Sequence, residues 1–160
     1  MAFPIPPPPW NQVLGMPMTH RFMVSFLDHG SIPNPLDIRF QDVSGLEGKI
    51  KTRPDPSAAA RLSRRQIPTG IDYSDLQLKR GMMPASPLSH EIQSTLNQFK
   101  FTRSDVLVTV LSEQAIPTSA FLFHEAYPTQ WQLSNLNAKT EEVLIETMTL
   151  TYTRMRTLSL

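Results

Sequence analysis

Short segments in which apolar and polar residues alternate recur along most of the sequence, and they constrain the fold more than any other feature. In the segment 21–28, Phe22, Val24 and Phe26 share one face of a strand and the intervening residues share the other. Other segments with a strand pattern lie at 37–46, 73–81, 105–113, 119–126 and 141–155. We therefore predict at least six strands, arranged as a closed or nearly closed barrel or as a two-sheet sandwich.

One segment has helical periodicity instead. Four apolar residues recur at i, i+4, i+8 and i+11, which places them on one side of a helix over about residues 87–99. They are Leu88, Ile92, Leu96 and Phe99. Ser86 is suited to the N-cap of this helix and Pro87 to its first position. The predicted fold class is mainly β, with a single helix between the middle strands.

The composition limits the classes of function. At 160 residues the chain fits one domain, and its net charge of +1 provides no overall attraction to nucleic acid or to an acidic membrane. Without cysteine the chain has no disulfide, thiolate metal site or cysteine nucleophile. No apolar run approaches the roughly 20 residues that cross a bilayer, so we expect no membrane insertion.

The first 18 residues form a proline-rich arm ahead of a single β domain at 19–160. They hold six of the fifteen prolines, four of them consecutive, which favours an extended polyproline conformation. The arm is either a disordered leader or an extension whose Phe3 and Trp10 are apolar anchors for a neighbouring subunit.

A long basic loop is predicted at 49–70. From residue 51 onward it has five basic residues and one acidic residue, Asp55. The basic residues are Lys51, Arg53, Arg61, Arg64 and Arg65. Such a loop is either solvated and mobile or an extension that docks on an acidic surface of another subunit. It has no aromatic residues for stacking on bases, which argues against nucleic-acid binding.

His124 and Glu125 resemble an acid/base pair, but adjacent side chains on a strand point to opposite faces. We therefore expect no cooperation between them at one substrate atom, and we interpret Glu125 as a buried carboxylate in a salt bridge within or between subunits. The four histidines lack metal-site spacing, and no phosphate loop or nucleophile elbow is present. No catalytic residue, cofactor or metal is predicted.

The last strand pattern has a row of threonines on one face. Thr147, Thr149 and Thr151 lie on this face, whereas Met148 and Leu150, which stand between them in the sequence, lie on the other face. A β-favouring, neutral and polar row suits a sheet face in contact with water. It is either an ordinary outer face or the wall of a wide aqueous channel built by several subunits.

Four segments, in order, resemble the tail tube proteins of contractile phage tails and related bacterial injection systems. They lie at 40–50, 73–83, 124–138 and 141–155, and the resemblance extends over roughly residues 20–155. The motif positions are Phe40, Val43, Ser44, Gly45, Leu46, Leu76, Leu78, Lys79, Arg80, Gly81, Ala126, Pro128, Trp131, Ile145 and Glu146. Within this pattern we expect Pro128 to end or kink its strand and Trp131 to anchor the next turn.

The resemblance implies a β-barrel-like subunit that forms hexameric rings, which stack into a hollow tube inside a contractile sheath. The implied partners are other copies, the sheath protein, the baseplate hub and spike, and a tape measure or cargo in the lumen. Assembly would occur in the bacterial cytoplasm, before the subunit becomes part of a virion or tail-like particle. Neither a cofactor nor sequence-specific nucleic-acid binding is implied, and we expect Arg61, Arg64 and Arg65 to meet carboxylates of an adjacent ring.

The proline-rich arm and the basic loop depart from the common family pattern. Both favour a second interpretation, in which the chain is the tube-initiator ring that joins the tube to the baseplate hub and spike. A third interpretation, independent of the resemblance, is a monomeric binding module of the lipocalin type.

Overall fold

A computed structural model of the chain describes residues 21–27, 37–57 and 64–159. Within these residues the chain forms nine strands and one helix. The strands are β1 (Phe22–Leu27), β2 (Asp42–Ser44), β3 (Gly48–Pro54), β4 (Gln66–Tyr73), β5 (Leu76–Gly81), β6 (Ser104–Leu111), β7 (Pro117–Leu133), β8 (Ile145–Thr151) and β9 (Arg154–Ser159). The helix, α1 (Pro87–Gln98), lies between β5 and β6 in the sequence.

Seven strands form one antiparallel sheet that does not close into a barrel. Its order is β1-β6-β7-β8-β5-β2, and β9 pairs with β7. Strand β7 is 17 residues long; its first half pairs with β6 and β9, and its second half pairs with β8. One bulge lies near the end of the first half, opposite Asp105, and a second lies within the second half, between Pro128 and Gln130. The two halves belong to the two layers of a sandwich-like arrangement. The mainly β class is confirmed, and of the two predicted architectures the sandwich is correct and the closed barrel is wrong.

Alternation is clearest in the two central strands, β5 and β8. The residues on their inner face are Leu76, Leu78, Arg80, Glu146, Met148 and Leu150, each 2% exposed or less. Together with Val24, Val106 and Phe123 they form the centre of the core, and Tyr152 packs edge-on against Phe123 at 4.8 Å. Two of the side chains on this inner face are charged, which is the most unusual feature of the core.

Helix α1 agrees with its predicted limits. The Ser86 side chain accepts a hydrogen bond from the Ser89 backbone N–H, so it is the N-cap, and Pro87 follows in the first turn. Leu88 and Ile92 are buried against the sheet. The helix ends before Phe99, which adopts φ 54°, a left-handed conformation that stops helical hydrogen bonding.

The segment predicted as a strand at 37–46 pairs only at β2. Residues 37–41 are irregular, although the Gln41 N–H donates to the Lys79 carbonyl at 2.7 Å, and Asp37 accepts hydrogen bonds from three groups described below. Strand β2 ends at Ser44, before Gly45, whose φ is 86°. A Cβ there would lie 1.9 Å from the Asp75 carbonyl oxygen, so both the turn and the close approach require glycine.

The long strand predicted within 141–155 is two strands, β8 and β9. The break comes at Tyr152–Thr153, where the chain passes from pairing with the second half of β7 to pairing with its first half. The Thr153 N–H donates to the His124 carbonyl at this crossing, and Tyr152 is buried against Phe123 and Tyr73. The burial pattern shifts by one residue at the break, because Thr153 and Arg154 are both exposed and Met155 packs against the core.

The segment predicted as a loop at 49–70 is instead largely a hairpin of β3 and β4. The two strands pair from Gly48 opposite Tyr73 to Pro54 opposite Gln66, with a register shift after Lys51. Every residue of β3 is exposed, and the two strands pack chiefly against each other. The hairpin therefore extends from the sheet at the end where β2 finishes and β5 begins.

Candidate functional site

Motif residues from separate segments meet in a cluster of buried polar side chains between α1 and the sheet. Arg80 is 1% exposed and Glu146 is fully buried, and they lie directly opposite each other on β5 and β8. The Arg80 Nε donates to Glu146 Oε2 at 3.1 Å, and its Nη1 donates to Asp37 Oδ1 at 3.0 Å. Two carboxylates thus flank one guanidinium in a setting where an unpaired charge would be strongly destabilising.

The same guanidinium fixes the start of α1. Its Nη2 donates to Ser86 Oγ at 2.6 Å and to Ser89 Oγ at 2.8 Å. The Ser86 hydroxyl donates in turn to Asp37, and the other Asp37 oxygen accepts the Leu88 N–H at 3.3 Å. A carboxylate beside the first turn also complements the positive end of the helix dipole. The cluster therefore connects the helix N-terminus to two strands at once.

Two aromatic motif residues complete this cluster. The Trp131 Nε1 donates to Glu146 Oε1 at 2.7 Å, and the guanidinium carbon of Arg80 lies 5.3 Å from the centre of the Phe40 ring, within cation–π range. Phe40, Arg80, Trp131 and Glu146 come from the four segments that carry the resemblance. Because the charged groups are buried and paired with one another, the cluster stabilises the fold and offers no exposed group to a substrate.

Sequence reasoning did not identify Asp37 or Ser89 as members of the cluster. A partial signal existed, since alternation puts Arg80 on the same face as Leu76 and Leu78, where a charge needs a partner. The partners are 66 residues away, at Glu146, and 43 residues away, at Asp37. The spacing of residues within a short segment does not predict contacts between residues so far apart in the sequence.

The remaining motif positions have local structural roles. Lys79 faces outward and forms an ion pair with Asp42 at 3.4 Å. Ser44 is the last residue of β2, and Leu46 is 40% exposed. Gly81 lies beside Val143. Pro128 does not end its strand and Trp131 does not lie in a following turn, because β7 continues through both residues. Pro128 is tolerated because it sits at a register shift, where the missing N–H is not needed in the ladder.

A continuous polar surface covers the side of the sheet away from the cluster. It is lined by Gln77, Lys79, Gln130, Gln132, Ser134, Thr147 and Thr149, with Leu133 and Ile145 at one end. Thr151 follows on the same strand face and donates to Asp75 at 2.8 Å. Lys79 is the charged side chain of the lining, and Asp42 balances it. The surface is polar and nearly neutral; we name it the polar face.

The hairpin carries the basic side chains predicted to contact other subunits. Arg53 lies on β3 and is exposed, whereas Arg65 precedes β4 and its Nε lies 3.6 Å from Asp55 Oδ2. Arg64 is exposed and forms no ion pair with a described residue. Arg61 lies outside the described residues, as do Phe3 and Trp10 of the predicted arm. One of these arginines is therefore already paired within its own chain.

The alternation argument for His124 and Glu125 is wrong. Both residues lie opposite Asp105 in a bulge, and Glu125 adopts φ 53°. As a result both line one depression of about 490 Å³, together with Tyr73, Thr153 and Arg154. A bulge inserts an extra residue and resets the side-chain alternation, so sequence period alone does not locate it.

Glu125 is an exposed carboxylate, not the buried one that we expected. Its Oε2 accepts the Thr153 hydroxyl at 2.9 Å and lies 3.8 Å from Arg103 Nη1, with 57% of the side chain exposed. His124 Nδ1 lies 3.3 Å from Asp105 Oδ2. Among described residues, neither His124 Nε2 nor the buried Tyr152 hydroxyl has a hydrogen-bond partner. Desolvation, followed by the charges of Tyr73 and Asp75, raises the pKa of Tyr152.

Within the described part of the chain, no three His, Asp or Glu side chains group closely enough to hold a metal ion. In the same part of the chain, the helix is too short and too polar to span a membrane.

Comparison with known proteins agrees with the fold and the motif cluster. The sequence profile of the T4-like virus tail tube protein gp19 family matches residues 18–156. A chain in the six-fold symmetrised cryo-EM structure of the anti-feeding prophage baseplate is 32% identical, with a TM-score of 0.79 over 89% of this chain and 95% of that one. Among curated proteins, none matches the sequence.

More distant structures share the fold alone. A chain of the PVC sheath–tube complex, an extracellular contractile injection system, is 20% identical, with a TM-score of 0.72 over 94% of this chain and 97% of that one. Hcp1 from Flavobacterium johnsoniae is 16% identical, with a TM-score of 0.54 over 86% and 94% of the two chains.

The sandwich-like fold, with its helix joined to the sheet by the motif cluster, defines a tail tube type of structural subunit. Because the profile matches most of its length, the chain belongs to the T4-like virus tail tube protein gp19 family. It is a tail tube protein and a component of a phage tail or contractile injection particle.

Proposed function

We propose that this subunit forms six-membered rings that stack into a hollow inner tube, with the polar face lining the lumen. The observation that carries the proposal is the polar face itself. It combines threonine and glutamine with a single lysine that an aspartate balances, and the hydrophobic core lies directly behind it. Leu133 and Ile145 are the apolar residues of its lining, and a mainly polar surface without strong charge binds passing molecules weakly. Six-fold symmetry is supported by the baseplate structure that contains the most similar chain described above.

Strand edges support ring closure. In the described chain the sheet path ends at β1 on one side and at the three-residue β2 on the other. Exposed edges are templates for pairing with another chain. Heterologous contacts between identical subunits close such edges when the rotation completes a ring. A monomeric binding module of the lipocalin type would instead be a closed barrel, and this sheet is open.

The remaining partners follow from membership in the family. We propose that a sheath surrounds the tube, that baseplate hub and spike proteins bind its first ring, and that a tape measure or cargo occupies the lumen. Assembly takes place in the bacterial cytoplasm. The role is structural, without a cofactor or sequence-specific contact to nucleic acid, and family membership argues against an enzyme.

The lumen assignment is testable because the chain has no cysteine. Thr147→Cys places one thiol on the polar face, and Gln93→Cys places one on the exposed side of α1, behind the sheet. In tubes seen by negative-stain microscopy, we expect Thr147→Cys to react with a small maleimide but not with a large polyethylene glycol maleimide. Gln93→Cys should react with both. Equal reaction of Thr147→Cys with both reagents in intact tubes would contradict the lumen assignment, and a monomer in solution would contradict the ring.

A second candidate is the tube-initiator ring. Identity is 32% to a chain of a baseplate structure and 20% to a chain of a sheath–tube complex, which favours a position close to the baseplate. The same microscopy separates the two candidates. A main tube subunit forms long tubes when purified alone, whereas an initiator stops at single rings.

A further inference from the structure

The two ends of the β5–β8 pair carry exposed surfaces of complementary character. At one end, where Leu76 lies opposite Leu150, the β3–β4 hairpin leaves the sheet. At the other end, where Gly81 lies opposite Ile145, the β7–β8 loop (residues 134–144) crosses from one strand to the next. Strand β8 advances five residues from Ile145 to Leu150, a separation of about 17 Å at about 3.3 Å per residue.

The hairpin is basic and has an exposed apolar pair. Its described residues include five basic and two acidic side chains. Lys51 pairs with Asp72 and Arg65 with Asp55. Lys49, Arg53 and Arg64 form no ion pair with a described residue. Ile50 and Ile71 lie directly opposite each other, and they are 63% and 58% exposed. The hairpin therefore has uncompensated positive charge next to apolar surface.

The β7–β8 loop has the opposite charge and the same kind of apolar surface. Glu141 and Glu142 are adjacent and exposed, and neither has a hydrogen bond or ion pair with a described residue. Leu136 is 84% exposed and Val143 is 71% exposed. Most other described carboxylates already have a partner; Asp42, Asp105 and Glu125 are examples. The loop has one exposed basic side chain, Lys139, against these two glutamates, so it is net acidic by one charge.

The loop is also held in place and does not require folding on contact. The Ser134 N–H donates to the Ile145 carbonyl at 2.8 Å, and the Ile145 N–H donates to Ser134 Oγ at 3.0 Å. The Leu144 carbonyl accepts the Met82 N–H at 2.8 Å, and Val143 packs beside Gly81. A docking surface that is already ordered loses little conformational entropy on binding.

We propose that the basic hairpin of one subunit docks on the acidic β7–β8 loop of a second copy of this chain in the adjacent ring. Complementary surfaces at opposite ends of one subunit form a heterologous contact, which repeats along a stack without limit. Opposite charges fix the polarity of stacking, because hairpin against hairpin or loop against loop would bring like charges together. The inference rests on the proposed stacked rings and specifies which surfaces join them.

The test exchanges the charges on the two surfaces. Variant A is Glu141→Lys with Glu142→Lys, so that both surfaces are basic. Variant B is Arg53→Glu with Arg64→Glu, so that the hairpin loses two of its three unpaired cations, keeps Lys49 and gains two carboxylates. We expect each variant alone to form rings but to give about tenfold less sedimentable tube than the wild type, since like charges oppose stacking. Glu113→Lys, an exposed acidic position outside both surfaces, is the matched control and should assemble normally.

Mixing the variants distinguishes specific docking from damage to the fold. The basic hairpin of variant A fits the acidic loop of variant B, and the acidic hairpin of variant B fits the basic loop of variant A. We expect equimolar mixing to restore tubes. Normal tubes from either variant alone, or a mixture no better than its components, would overturn the docking while leaving stacked rings intact. A wild-type protein that forms no stacks would overturn the proposed tube function itself.

Discussion

The motif cluster and the hairpin use the same chemistry in opposite environments. In the cluster, one arginine that is 1% exposed bonds two carboxylates, two serines and the start of a helix. In the hairpin, the ion pair between Lys51 and Asp72 has side chains that are 58% and 60% exposed. Water screens the second pair but not the first, so burial determines how much a pair of opposite charges matters. The cluster stabilises the fold of the subunit, whereas the exposed charges of the hairpin are available to bind other molecules.

The largest expected effect is the loss of the buried guanidinium. Arg80→Met leaves the Glu146 and Asp37 carboxylates next to each other without a compensating charge. We expect it to lower the free energy of unfolding by about 3–5 kcal/mol, measured by urea denaturation of the dissociated subunit. The matched control is Lys79→Met on the adjacent residue, whose ion pair is exposed, and we expect it to cost at most about 1 kcal/mol.

Equal losses of unfolding free energy for Arg80→Met and Lys79→Met would remove the distinction between a buried and an exposed ion pair. Adding Glu146→Gln to Arg80→Met should recover part of the stability, because the two residues act as one unit and their effects do not add. A double variant whose loss equals the sum of the single losses would contradict direct coupling across the strand pair.

A smaller effect is expected from removing one hydrogen-bond donor at the edge of the cluster. Trp131→Phe takes away the indole N–H that donates to Glu146 at 2.7 Å, and we expect a loss of about 1–3 kcal/mol by the same measurement. Tyr152→Phe is the matched control. It removes a buried hydroxyl that has no partner among the described residues, so stability should be unchanged or slightly higher. A larger loss for Tyr152→Phe than for Trp131→Phe would mean that the hydroxyl has a hydrogen-bond partner within the folded subunit.

Sequence reasoning succeeds where contacts follow a period and fails where they depend on distant partners. The alternation of Leu76, Leu78 and Arg80 predicts the inner face of β5, and the Ser86–Pro87 pair predicts the start of α1. The period also predicts two outcomes incorrectly. It places His124 and Glu125 on opposite faces because it does not detect the bulge opposite Asp105. It also joins β8 to β9, because a shift of one residue at Thr153–Arg154 is too small to separate two strands in the sequence.

The composition of a segment likewise does not distinguish a loop from a paired ribbon. Segment 49–70 contains prolines and charges that are typical of loops, yet Ile50 opposite Ile71 and Lys49 opposite Asp72 form a regular ladder. Asp37 lies at the start of a segment with a strand pattern, but only the folded chain brings it to Arg80. The fold class and motif positions could therefore be predicted, whereas the partners within the cluster could not.

The smallest expected effect concerns a carboxylate beside the turn of the hairpin. The Ser57 hydroxyl and then its backbone N–H donate to Asp55, and both hold the pKa of Asp55 below its usual 3.8. Because the folded pKa is lowered, the associated stabilisation is present above about pH 3.8 and disappears as the pH falls through the folded value.

In a carboxyl NMR titration we expect a midpoint below 3.8 in the wild type. Ser57→Ala should raise the midpoint by removing the hydroxyl, whereas Ser74→Ala, which affects Glu47 instead, should not. A wild-type midpoint at or above 3.8 would show that the turn does not hold this carboxylate in solution. Because the hydrogen bonds between Ser57 and Asp55 lie in an exposed turn, global unfolding should hardly change with Ser57→Ala, in contrast to the loss expected at Arg80.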